Sequence, residues 1–146
     1  MCGGIFHWRM ELQVKKIAQF MAENDKVAVW LGVKVREVKE GYAKIEMVVT
    51  DKMLNAAGIC QGGAIFSFAD FAFALASNSY GNVALATSAS ISFLNPVFEG
   101  EKLVAEAVEK NRTRRTGVYE VEVRKETGEP VALFVGNVFV KDKKIL

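Results

Sequence analysis

Between Lys52 and Glu99 the chain carries one charged side chain, Asp70. It lies inside an apolar run from Gly62 to Ala76, GGAIFSFADFAFALA. A carboxylate taken out of water is costly unless it is hydrogen-bonded, paired or protonated. A carboxylate so placed can serve as general base or nucleophile. It can equally be a core residue whose oxygens cap a neighbouring loop, and the residues alone leave both readings open. Gly62-Gly63 stands at the predicted start of the same helix. A glycine start offers N–H groups without intrahelical partners and the positive end of the helix dipole, which suits an anion or a developing oxyanion. It also permits plain close packing. Gln61 can hydrogen-bond a ligand or simply begin the helix, and Asn55 can do the same or close an Asx-turn. The single histidine, His7, lies near the N-terminus, so a Ser-His-Asp or Cys-His device is not expected. Cys2 and Cys60 form no metal-ligand pattern with it, and Cys60 reads as a small buried hydrophobe.

The elements that must hold these residues follow from periodicity. Apolar Leu12, Ile17, Phe20 and Met21, with Lys15, Lys16 and Glu23 elsewhere, predict an amphipathic helix over Met10 to Asn24. Val33 to Val38 and Tyr42 to Thr50, broken by Gly41, predict a hairpin with Ala43, Ile45 and Met47 on its inner side. Met53 to Gln61 is a loop. The helix that follows runs from Gly62 or Gly63 to about Ser79, with Gly81 as its stop. It is apolar nearly all round and should be central. Gly63, Ser67, Asp70, Ala74 and Ser77 form one small, polar stripe along it, narrow enough for another chain or a ligand to approach. Four strands are predicted after it: Val83 to Leu94, apolar on both faces, then Lys102 to Asn111, Gly117 to Lys125, and Val131 to Val140. The order αββαββββ with hairpin-length links is an α+β pattern, a long antiparallel sheet curled around one buried helix.

At 146 residues and 51% hydrophobic, the chain reads as one domain, residues 1–146, with residues 1–25 as an N-terminal extension and helix. A net charge of +2 gives no ground for nucleic-acid or membrane-surface binding. The start of the chain has no signal-peptide pattern, and Ala64 to Ala76 is too short to span a bilayer, so a cytoplasmic location is expected. Lys110, Arg112, Arg114 and Arg115 are either a solvated turn or an anchor for phosphate groups.

The string Asn55-x5-Gln61-Gly62-Gly63-x6-Asp70 resembles the hotdog-fold acyl-CoA thioesterases of the PaaI type. So do Ala74-x-Ala76-Ser77-Asn78, Phe93-x-x-Pro96, Gly100, Arg114-Arg115-Thr116 and Val131-Ala132-Leu133-Phe134-x-Gly136, in the same order. Together these cover roughly Gly32 to Val140. The resemblance implies a hotdog fold and hydrolysis of a thioester to free acid and coenzyme A. It makes Asp70 the general base or nucleophile and the Gly62 N–H the donor that polarises the carbonyl. Asn55 helps to arrange the site, and Gly63, Arg114, Arg115 and Thr116 contact substrate. Asp70 lies eight residues beyond Gly62, about 12 Å along a helix. One thioester cannot meet both in one subunit, so a site shared between subunits of a homodimer or dimer of dimers is expected. No metal or redox cofactor is implied. The family usually has histidine where Gln61 stands. Glutamine can hydrogen-bond a thioester but cannot move a proton near neutral pH. Two rivals remain: a non-catalytic acyl-CoA-binding or regulatory protein, which the Gln61 change keeps open but the retention of Asp70 counts against, and a hotdog hydratase or dehydratase, which would need a site histidine.

Overall fold

The computed structural model describes residues 3–146. Two helices, α1 (Gly3–Asn24) and α2 (Lys26–Leu31), precede the hairpin β1 (Lys34–Lys39) and β2 (Tyr42–Val48). A 3-10 turn (Asp51–Met53) and a loop lead into α3 (Gly62–Ser77). The strands β3 (Asn82–Phe93), β4 (Lys102–Arg112), β5 (Thr116–Lys125) and β6 (Pro130–Lys144) complete the chain. The six strands form one antiparallel sheet in the order β1-β2-β4-β5-β6-β3, wrapped on α3.

The inner faces of the strands read as alternation requires. Ala43, Ile45 and Met47 of β2, Leu103, Ala105 and Ala107 of β4, and Tyr119, Val121 and Val123 of β5 are buried at 2% exposure or less. Opposite them α3 buries Phe68, Phe71, Phe73 and Leu75. Each such side chain contributes about 1.5–3 kcal/mol of transfer free energy. Phe73 packs edge-on to Tyr119 and tilted against Phe134, with ring centroids 5.7 and 5.4 Å away. It lies against Gly136, where a Cβ would fall 2.7 Å from its Cζ.

The predicted order omitted α2, and α1 begins at Gly3 rather than Met10. The central helix ends at Ser77, ahead of the predicted stop at Gly81, because Asn78 takes over. The Asn78 amide donates to the carbonyls of Ala74 and Ala84, and its Oδ1 accepts from the Ala84 N–H at 2.8 Å. β3, apolar on both faces in the sequence, is an edge strand. It pairs with β6 alone, and most of its side chains are exposed.

Candidate active site

The start of α3 is held by its loop. The Gln61 N–H donates to the Met53 carbonyl at 2.7 Å, and the Cys60 N–H to that of Val97 at 2.8 Å. Gln61 is the N-cap, with extended backbone at φ −64° and ψ 140°. Its carbonyl accepts from Ala64 and Ile65, while its side chain makes no capping bond. The N–H groups of Gly62 and Gly63 take part in no hydrogen bond among the described residues. Two bare donors therefore sit at the positive end of a 16-residue helix. The Gln61 Oε1 lies 3.0 Å from where a Gly63 Cβ would be, so this carboxamide sits against Gly63.

Asp70 lies two turns further along, on the half-exposed stripe it shares with Gly63, Ser67 and Ala74. It makes no hydrogen bond or ion pair among the described residues, and its oxygens are not sealed from solvent. Burial, and then the negative charge of Asp25, raise its pKa above the ordinary carboxylate value. Among the described residues no group donates to it, as a loop-capping core carboxylate would require.

Asn55 forms the Asx-turn. Its Oδ1 accepts from the N–H groups of Ala57 (2.9 Å) and Ile59 (3.2 Å), and its Nδ2 has no partner among the described residues. It shares with Gly62, Cys60 and Phe93 a cleft of about 390 Å3 on the β3 side of the helix start. Cys60 is buried, and burial raises its thiol pKa, so it is an inert neighbour. A second cleft, about 340 Å3, opens on the α2 side and is lined by Val27, Trp30, Lys52, Gln61, Gly63 and Ser67. Sequence reading missed Val27, Trp30 and Lys52. The signal available was Asp25 as a cap and Gly32 as a stop around a stretch too short to show a period. His7 lies on α1, 3.0 Å from Glu11, in a groove between α1 and β1.

The arginine turn stands elsewhere in the chain. Thr113 and Thr116 close it, with hydroxyls 2.6 Å apart. Arg114 is exposed, and the Arg115 Nη2 pairs with Asp142 at 2.8 Å. The preceding Arg112 stacks on Tyr80, 3.7 Å from the ring centroid, just past the C-terminal end of α3. One protomer thus separates Arg114, Arg115 and Thr116 from Gly62 by most of the helix, about 24 Å for its 16 residues. No cluster of three His, Cys, Asp or Glu side chains capable of holding a metal occurs among the described residues. No helix among them is long and apolar enough to cross a membrane.

A family model described as the thioesterase superfamily matches residues 57–132, the span from the helix-start loop to β6. The chain belongs to the thioesterase superfamily. It is 44% identical over 119 residues to the acyl-coenzyme A thioesterase PaaI of Escherichia coli, covering 82% of this chain and 85% of that one. The E. coli PaaI structure superposes with a TM-score of 0.91 at 39% identity, covering 94% of this thioesterase and 99% of that chain. A mutant of the phenylacetic acid degradation protein PaaI of Thermus thermophilus gives 0.74 at 40% identity, covering 83% and 97%. A Streptococcus mutans protein bound to acetyl CoA gives 0.74 at 28% identity, covering 77% and 90%. The fold is therefore the PaaI hotdog, and this thioesterase is a thioester hydrolase.

Proposed function

We propose that the protein hydrolyses acyl-CoA to the free acid and coenzyme A at a site built by two subunits, without a metal or redox group. The observation that carries this reading is an unpaired, half-buried Asp70 in the same helix as two bare glycine N–H groups, about 12 Å apart along the axis. Acyl transfer needs an activated water and a donor for the oxyanion close to one carbon. Two copies related by a two-fold axis, paired antiparallel along β3, run their α3 helices in opposite directions. Asp70 of one then faces the Gly62 end of the other. The same pairing carries each arginine turn toward the other protomer's Gly62, where Arg114, Arg115 and Thr116 could meet the phosphates of coenzyme A. The acetyl CoA held by the S. mutans relative supports this class of substrate.

In this reading Asp70 is the general base. It takes a proton from a water as that water attacks the thioester carbon, and the oxygen charge falls on the Gly62 N–H. The tetrahedral intermediate collapses by breaking the C–S bond. The proton held by Asp70 returns to the thiolate, leaving acid and thiol. A raised carboxyl pKa matches the task, since it makes the carboxylate a better base near neutral pH. Gln61 holds the thioester by hydrogen bonding, with Asn55 Nδ2 facing the cleft beyond, and all proton movement passes through Asp70.

Thiol release from a panel of acyl-CoA thioesters tests the proposal. Asp70→Asn should lower kcat by roughly 10²–10⁴-fold, the range for losing a general base, with the oligomer and acyl-CoA binding retained. Retained turnover would refute the assignment. A wild-type protein that binds acyl-CoA yet releases no thiol would establish the binding-protein reading instead.

A further inference from the structure

α2 is held so that part of it faces the reaction centre. The Asp25 side chain caps it by accepting from the Ala28 N–H at 3.0 Å, and Gly32, at φ 70°, ends it. Ala28 and Leu31 point into the core, each 3% exposed. That choice of inner face turns Val27 and Trp30, spaced i, i+3, to the outside at 52% and 58% exposure. Both line the 340 Å3 cleft whose other wall is Gln61, Gly63 and Ser67 of α3. A tryptophan more than half in water forgoes most of its apolar burial, so the packing of the chain itself does not account for this residue. Gly63, in this wall, carries one of the bare N–H groups beside Gly62, whose N–H polarises the carbonyl in the proposed site. A molecule in the cleft is therefore continuous with the reacting carbonyl. Beside Lys52, Gln61 and Ser67, the indole, Val27 and neighbouring Leu54 give the cleft one apolar wall, and of the two arms of a thioester the acyl arm is the one that an apolar wall can select.

We infer that Trp30, with Val27, forms the acyl-selecting wall: acyl groups long enough to lie along the indole are hydrolysed in preference to acetyl. This rests on the acyl-CoA hydrolysis proposed above. Thiol release from acetyl-CoA and hexanoyl-CoA is compared for wild type, Trp30→Ala and Trp30→Phe. In Trp30→Ala the hexanoyl-to-acetyl ratio of kcat/KM should fall roughly tenfold or more, carried by KM, with acetyl-CoA little affected. Trp30→Phe should keep most of the ratio. The chain has two tryptophans, so a Trp8→Phe background leaves Trp30 as the only indole. With Asp70→Asn added to stop turnover, hexanoyl-CoA should move its emission to shorter wavelength and acetyl-CoA should move it less. An equal loss on both substrates, or an unchanged ratio with unmoved emission, overturns the inference and leaves acyl-CoA hydrolysis standing. A wild-type protein that releases thiol from neither substrate overturns the proposed function, and this inference with it.

Discussion

Asp70 carries a thermodynamic signature separate from its chemistry. Its folded-state pKa is raised by burial and then by Asp25, so the folded chain binds more protons at this position than the unfolded chain across the window between the two values. Stability therefore falls as pH rises through that window, and the penalty is complete above the folded pKa. Asp70→Asn removes a charge that no described residue compensates. The variant should melt higher than wild type at pH 7–8, and the gain should shrink in acid until the curves meet below about pH 4, the ordinary carboxylate range. Melting scans across pH read this directly. A variant less stable than wild type at neutral pH would mean that Asp70 accepts hydrogen bonds the fold depends on. In the proposed mechanism Gln61 limits the proton path at the same scale, because an amide can hold a thioester but cannot move a proton near neutral pH, which assigns that task to Asp70.

Among the elements, β6 and α3 meet most tightly at Gly136. The Phe73 ring there cannot retreat, since it is 2% exposed and fixed by Tyr119 and Phe134. Gly136→Ala places a methyl 2.7–2.9 Å from three ring carbons. Overpacking of this kind costs about 1–3 kcal/mol, to be seen as a lower urea midpoint with an unchanged slope. Adding Phe73→Leu should recover part of the loss, because the two volume changes oppose each other. An unchanged midpoint in Gly136→Ala would show that the sheet yields at this point. The same elements mark what sequence reading could reach. Alternation placed β2 with its inner face, Ala43, Ile45 and Met47, and the segments of β4 and β5 were legible as strands, while the uniformly apolar run marked α3 as central. Asp70 and Gly62 were legible because one is a lone charge in an apolar run and the other a glycine pair at a helix start. α2 was not legible: six residues hold less than two turns, too few for a period to show. The separation of Arg114 from Gly62 was hidden as well. Which end of a helix a hairpin turn reaches depends on sheet order, and spacing along the chain does not encode it.

Across the whole molecule the two edges of the sheet differ. β1 is six residues with Lys34, Arg36, Glu37 and Lys39, and its pairing with β2 is bulged. Charge and irregularity of this kind discourage pairing with another chain. β3 is twelve residues with no charge and no proline, exposed along most of its length, ending in exposed Phe93 and followed by exposed Leu94. Such an edge invites a second copy, and a two-fold pairing is what would bring Asp70 and Gly62 together. The pairing can be tested with two variants, each defective in a different half of the site. Asp70→Asn removes the base. Gly62→Pro removes the donor at the first helical position, which tolerates proline, and Gln61 before it already has the extended backbone that proline requires; its Cβ falls 2.9 Å from the Phe93 ring, which is half exposed, unlike the enclosed Phe73, and has to shift to admit it. Each alone should be nearly inactive. Subunits of the two are then exchanged and thiol release is measured. Random pairing makes half of the dimers mixed, and each mixed dimer holds one site with both Asp70 and the Gly62 N–H intact, so activity should return to about a quarter of wild type. A mixture that stays as inactive as its parents, despite proven exchange, would place Asp70 and Gly62 in the same subunit's site and contradict the shared-site account.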